Sequence, residues 1–429
     1  MTALAPRLGL REAVACLRSE SPHSRILNGS LVLLVGTGLV TLLNFGYNVA
    51  VARMLGPAGF GHAAVAVTLL MLVSAITLSF QLVCAKLVAR TEELAARAAV
   101  YHKLLGRAWL VGLVLGSALI GASGLVAAYL NLPSRWQVII LAFGIAFYVP
   151  LGARRGALQG SCVFGRLSWN FVLEAVVKFL GALILVQLGF GVDGAVAAIA
   201  VSVVLAYFLP PIPWELEVQP ATVMPASFRE GMQAIVFFIG QVVINNIDVL
   251  LVKHFFQPEA AGLYAAVALV GRVVYFASWS VVSAMFPITA GAKQREESPA
   301  MIVVPLLFVL GISVVFVVTL GVIPDAVLRT VFGSAFKAEG INGLLSLYAA
   351  ATGTYALSVV LMTYEMSRRI ANTGWVQLVF SAGIFLGIYV FHGDLREVVL
   401  VQLVLMVAML MLVSVPFFRR PRAALQEAA

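Results

Sequence analysis

The residues of this chain best able to do chemistry are ionised and amide side chains embedded in long apolar runs. Arg272 stands about ten residues into one such run, roughly 15 Å deep at helical rise. Its guanidinium presents a planar fork that suits carboxylate or phosphate oxygens through paired hydrogen bonds. Asp248, on the preceding run, is the rival partner, because an antiparallel helix brings it to similar depth. Substrate contact and structural pairing both follow from the rule that intramembrane ions face a cavity or one another. Lys178 lies near the middle of another run, with Glu174 one helical turn earlier. Either the two neutralise each other, or Lys178 binds phosphate and Glu174 takes up a coupling proton or sodium ion. Arg154 and Arg155 follow Pro150, a helix-kinking residue. They would greet an anion at the cytoplasmic mouth or serve as positive-inside anchors. Asn44 and Asn48 share one helix face, and Gln241, Asn245 and Asn246 occupy the corresponding helix further on. Such amides hydrogen-bond a polar ligand or glue helices together. Gln81 carries the same two readings. Arg53 and Lys253, near the outer ends of equivalent helices, read as interfacial anchors or as a gate.

Other chemistry is missing from the sequence. There is no nucleotide-binding glycine loop, no metal spacing of histidine and cysteine, and no nucleophile elbow. The five histidines, His23, His62, His102, His254 and His392, are scattered. The expectation is a protein with no cofactor, no metal and no catalytic constellation.

The elements that hold these residues are membrane helices. The 429 residues are 62% hydrophobic and 11% charged, with a mean hydropathy of +1.02. A soluble core cannot hide that much apolar surface, so lipid is the solvent for most of the chain. Runs long enough to span are predicted at 29–52, 62–85, 105–129, 137–158, 168–188, 194–213, 231–253, 262–287, 301–322, 341–365, 373–391 and 398–418. Twelve spans place both termini on one side. With the N-terminus cytoplasmic, inner segments hold 20 of the 28 lysines and arginines, outer loops hold 6, and Lys178 and Arg272 lie within spans. That asymmetry supports cytoplasmic termini. It also accounts for the net charge of +9 without nucleic acid. The first 28 residues lack the pattern of a cleaved signal peptide. Arg7, Arg11 and Arg18 share a helical face there, suited to the inner leaflet or simply to a tail that sets orientation. Cys16, Cys84 and Cys162 read as free thiols.

The two halves read as repeats. Residues 52–66 align with 253–267 at an offset of 201, placing Pro57 on Pro258 and Gly61 on Gly262. Six spans per half make this a parallel repeat, with a site between two lobes. The predicted organisation is a cytoplasmic segment 1–28, lobes 29–213 and 230–418, a cytoplasmic linker 214–229 and a tail 419–429. The fold class is an all-α polytopic membrane protein around a central cavity.

The segment Arg53-Met-Leu-Gly-Pro-Ala-Gly-Phe-Gly-His-Ala-Ala, after a helix carrying Asn44, resembles the N-terminal signature of polysaccharide flippases. Asp248, Gly262-Leu-Tyr-Ala-Ala, Arg272 and Phe286-Pro287 follow in that family's order. This is the polysaccharide transporter family of the multidrug/oligosaccharidyl-lipid/polysaccharide exporter superfamily. The resemblance implies a protein of the bacterial inner membrane. It would flip an undecaprenyl-pyrophosphate-linked oligosaccharide to the periplasmic leaflet for O-antigen, capsule or exopolysaccharide assembly. A polysaccharide polymerase and chain-length machinery are the implied partners, beside membrane lipid. Rival readings are another cargo on the same fold, lipid II or a drug exchanged for a cation, and a membrane enzyme or scaffold of the same pathway. An enzyme of that kind usually carries a large periplasmic loop, and the longest outer loop here, 324–340, is short.

Overall fold

A computed structural model describes residues 22–91, 93–212, 236, 238–278, 281, 300–336, 343–368 and 373–426. Arg7, Arg11, Arg18, Cys16, the linker expected at 214–229 and Phe286–Pro287 lie outside these residues.

Lipid offers no hydrogen bonds, so each backbone polar group must find its partner within its own segment. The described residues accordingly form helices and no strand. In chain order these are α1 Pro22–Arg90, α2 Leu94–Gly121, α3 Ser123–Tyr129, α4 Arg135–Gly160, α5 Phe164–Leu185, α6 Gly191–Phe208, α7 Ile247–Phe255, α8 Pro258–Gly271, α9 Ala300–Val322, α10 Pro324–Phe332, α11 Leu344–Arg368, α12 Thr373–Val390 and α13 Leu395–Gln426. Among the described residues nine helices are long and apolar enough to cross a membrane, and Gly374–Val390 is a shorter apolar one. The chain is a multi-pass membrane protein.

Two of the nine exceed a single crossing. Val32–Arg90 has 59 residues and Phe164–Phe208 has 45, against about 20 for one span. Each is broken at glycine. Gly56 (φ 69°) interrupts α1 just before Pro57. Gly189 (φ 93°) and Gly191 (φ 53°) flank the junction of α5 and α6. These left-handed conformations suit glycine because it has no Cβ to clash. The expected loop between the first two spans is therefore a continuous helix with one kink. The outer loop expected at 324–340 contains α10, and α13 runs on through the expected tail to Gln426.

Burial is inside-out relative to a soluble protein. Leu110, Leu113, Leu307, Val315 and Val404 are exposed, while Gln137, Asn170, Gln377 and Gln402 are buried. Outward apolar side chains suit acyl tails, and the buried amides donate within the bundle, Gln137 to Asp193 and Asn170 to the Ala206 carbonyl.

A close helix contact positions two candidate cations. Gly152, Gly156 and Gly160 recur every fourth residue on α4. A Cβ built on each would stand 2.3, 2.4 and 2.5 Å from the carbonyl oxygens of Thr77, Gln81 and Ala85. Those three residues share one face of α1, so two backbones touch along two turns, the small-residue packing that membrane helices favour. Arg154 and Arg155, lying between the glycines, project from the other faces of α4 into the N-terminal half.

Overpacking a tight contact costs typically about 1–3 kcal/mol. Gly156→Leu should therefore lower the melting temperature of the purified protein clearly. Gly165→Ala, where no atom lies within 4 Å of the added Cβ, should leave it unchanged. Equal melting of the two variants would contradict the seam.

Candidate functional site

The intramembrane charges form two networks. In the C-terminal half the helix before α7 breaks at Asn245–Asn246, and α7 restarts at Ile247. The break creates a helix N-terminus within the bundle, and Asp248 sits in its first turn, where a negative charge is favoured. Asp248 is 1% exposed. Its Oδ1 accepts from Arg272 Nη2 at 2.9 Å. Its Oδ2 accepts from Tyr264 Oη at 2.9 Å and from Tyr348 Oη at 2.8 Å. Gln402 Nε2 donates to Tyr264 Oη at 2.7 Å, and Arg272 Nε donates to Tyr348 Oη at 3.0 Å. Gly271 makes room for this ring, since a Cβ there would stand 2.4 Å from Tyr348 Cδ1. Residues from α8, its C-cap and α11 thus meet on the α7 carboxylate, and α13 joins the network through Gln402.

Arg272 is therefore paired with Asp248, one of the two arrangements the sequence left open. Its side chain remains 14% exposed, and its Nη1 hydrogens meet no described residue. Tyr264, Tyr348 and Gln402 were not identified from sequence. A tyrosine within an apolar run looks the same whether it belongs to an interfacial belt or to a buried network.

The N-terminal network centres on Arg155. Its Nε donates to Asn170 Oδ1 at 2.6 Å, and its Nη2 donates to Glu174 Oε2. The guanidinium lies 4.1 Å from the Phe171 ring centroid. Asn170 Nδ2 reaches the Ala206 and Leu209 carbonyls, each at 2.6 Å. Arg154 donates to Tyr101 Oη and to the Pro210 carbonyl, both at 3.3 Å. Arg166 donates to the Pro211 carbonyl at 3.0 Å. These donors satisfy carbonyls at the C-terminal end of α6, where cations suit the helix dipole. Arg154 and Arg155 are both buried. The α4 glycine seam draws their helix into the bundle, so both side chains pack among neighbouring helices.

Glu174 is engaged by Arg155, not by Lys178 one turn away on its own helix. A guanidinium from a neighbouring helix, backed by Asn170, outcompetes the local lysine. Lys178 is 7% exposed. Its ammonium sits 5.5 Å from the Tyr47 ring centroid. Among the described residues it has no hydrogen bond and no anion within ion-pair distance.

The expected amides behave locally. Asn48 Nδ2 donates to the Asn44 carbonyl at 2.8 Å, and Asn245 Nδ2 to the Gln241 carbonyl at 2.8 Å. Asn44 Oδ1 is buried without a partner. Gln241 donates to Tyr275 Oη at 2.6 Å, and Gln81 to Gln159 Oε1 at 2.9 Å. Cys84 and Cys162 are free thiols, the first buried and the second exposed.

Arg53 and Lys253 join the two halves. Arg53 donates through Nε to the Val331 carbonyl at 2.8 Å and through Nη2 to the Thr330 carbonyl. Lys253 is fully buried, and its Nζ reaches the Asn131 carbonyl at 3.3 Å. Both side chains bind backbone carbonyls, Arg53 as an exposed residue and Lys253 as a buried one.

No group of three or more metal-ligating side chains occurs among the described residues. The arrangement is a helical membrane bundle with buried, mostly cationic charge in each half and contacts between the halves.

This fold is shared with membrane transporters. An inward-facing multidrug resistance MATE family transporter of the MOP superfamily superposes with a TM-score of 0.74 at 14% identity, covering 91% of this chain and 96% of that one. The lipid II flippase MurJ in an inward closed conformation gives 0.71 at 12% identity, covering 90% and 87%. An outward-facing MATE transporter gives 0.62 at 16% identity, covering 96% and 98%. No curated protein sequence matches the chain significantly. The family profile described as polysaccharide biosynthesis protein matches residues 26–293, and the chain belongs to that family.

Leaving a buried charge unpaired costs about 3–5 kcal/mol. Asp248→Ala should therefore destabilise the purified protein strongly in thermal melts. The double variant Asp248→Asn with Arg272→Gln, which removes both charges, should recover most of the loss. A double variant as unstable as Asp248→Ala would contradict charge pairing as the source of the effect.

Proposed function

We propose that this chain is a flippase. It carries an undecaprenyl-pyrophosphate-linked oligosaccharide from the cytoplasmic to the periplasmic leaflet of a bacterial inner membrane, for surface polysaccharide assembly. It forms and breaks no glycosidic bond. A polymerase and chain-length machinery would take up its product. In this reading twelve crossings form two six-helix parallel repeats, 29–213 and 230–418, about a central cavity. They are joined by a cytoplasmic linker at 214–229, and the segment 1–28 and the tail 419–429 are cytoplasmic too. The glycine breaks favour counting Val32–Arg90 and Phe164–Phe208 as two crossings each. Membership in a polysaccharide biosynthesis family and the transporter fold support the cargo class.

One observation carries the reading, the buried ammonium of Lys178. A lysine at the bilayer centre costs roughly 2.5–3.5 kcal/mol. A desolvated cation–π contact returns about 2 kcal/mol, so Tyr47 alone leaves part of that cost standing. A bound phosphate would offset the remainder. The same uncompensated positive charge argues against a cationic drug as cargo. In this reading Lys178 and the free edge of Arg272 share the diphosphate. Asn44, Asn48 and Asn245 face the sugar, and Asp248 and Glu174 keep the empty site close to neutral. Arg154 and Arg155 hold α5 and α6 in place beneath it. The two lobes rock about the site, the polyprenyl tail stays in lipid, and the membrane potential or an ion gradient gives direction.

The test is glycan display on cells that lack their own copy, at matched protein level. Lys178→Met should reduce display at least tenfold, and Lys178→Arg should retain most of it. Arg272→Ala should also lose display. Normal display with Lys178→Met would remove the charge from the mechanism.

A further inference from the structure

The repeat signature meets its own counterpart in space. Gly61 and Gly262 are equivalent at the offset of 201, and so are Pro57 and Pro258. A Cβ on Gly61 would stand 3.0 Å from the Pro258 carbonyl oxygen and 3.0 Å from Gly262 N. A Cβ on Gly262 would stand 1.7 Å from the Pro57 carbonyl oxygen. Each half thus presents a glycine to the carbonyl of the other half's proline. Equivalent residues in reciprocal contact mark an interface organised by a two-fold relation.

The remaining contacts between halves surround this seam. Phe60 lies 6.0 Å from Phe332 and 6.2 Å from Phe336 between ring centroids. Arg53 caps the C-terminal carbonyls of α10, where a cation suits the helix dipole. Tyr129 and His254 stack at 3.8 Å, and Asn131 Nδ2 donates to the His254 carbonyl at 2.9 Å. Between described residues, the hydrogen bonds and ring contacts that bridge the halves all fall at this end of the bundle.

We propose that the two repeat segments are the gate itself. They form a self-complementary glycine seam that closes the outer end of the cavity and must part and re-form in every transport cycle. This inference rests on the alternating-access reading above. Among the described residues the seam contains no ion pair, and its one buried cation, Lys253 on the Asn131 carbonyl, must exchange that bond for water when the halves part. Closure needs glycine at both positions, because the atoms opposite are backbone and cannot rotate aside. Arg53, Phe60 and the Tyr129–His254 stack bring the two segments into register. α10 moves with the C-terminal half and carries the carbonyls that Arg53 releases on opening.

The experiment measures the width of the outer end by pulsed electron spin resonance. Spin labels are placed at the exposed positions Trp136, beside the α3–α4 turn, and Ile323, beside α10, in protein reconstituted into lipid. In the otherwise native chain a short and a long distance should both be populated. Gly262→Val should shift the ratio toward the long distance at least fivefold, and Gly61→Ala, with its looser clash, by less. Glycan display should fall with the loss of the closed state. A single short distance in the native chain would overturn the proposal. So would Gly262→Val leaving the ratio unchanged, or normal display despite a lost closed state. Gly61→Ala and the native chain keep the question answerable should Gly262→Val not fold. A seam that fails to respond while Lys178→Met still abolishes display would sink the gate and leave the flippase reading standing.

Discussion

An ionised side chain inside a bilayer has no water to turn to, and the interior of this protein is arranged around that constraint. Asp248 is met by Arg272 and two tyrosine hydroxyls drawn from α8, with its C-cap, and from α11, and Gln402 on α13 supports one of them. Arg155 is met by Asn170 and Glu174, and Asn170 in turn ties down the end of α6. Each network fixes several helices at one point, so the buried charges also knit each half together. Lys178 departs from the pattern, with an aromatic ring where the others have an ion or a hydrogen bond. That incomplete compensation is the feature on which the proposed anion site rests.

Glycine decides where these networks stand. The spacing of Gly152, Gly156 and Gly160 lets α4 press against α1, which carries Arg154 and Arg155 inward. Gly271 admits the Tyr348 ring beside Arg272. Gly56, Gly189 and Gly191 take the left-handed conformations that break two long helices. Small residues therefore act at three scales: a ring beside a guanidinium, two helices in backbone contact, and the kinks of a whole half.

Much of this was legible in the sequence, and the failures share a cause. Apolar runs and the scarcity of charge disclosed a membrane bundle, because lipid tolerates little else. The offset of 201 disclosed the segments around Pro57 and Pro258. The depths of Arg272 and Asp248 made their pairing one of two readings, since both lie on neighbouring runs. Glu174 was referred to Lys178 because spacing along one helix can be read and proximity between helices cannot. The burial of Arg154 and Arg155 is hidden from a positive-inside count, which weighs charge alone. The glycine triad beside them was the available signal for that burial. Tyr264, Tyr348 and Gln402 left no trace, as single polar residues in apolar runs carry no address until the helices pack.

The central claim is that an anionic, lipid-linked glycan crosses the membrane through this protein. Purified protein reconstituted into liposomes, with the lipid-linked oligosaccharide loaded in one leaflet and its sugar titrated by an impermeant lectin, tests this without the rest of the pathway. The account predicts that the glycan becomes accessible in the opposite leaflet only when the protein is present, and that Lys178→Met liposomes behave like empty ones. Equal accessibility in liposomes with and without the wild-type protein, under an imposed potential or ion gradient, would contradict it.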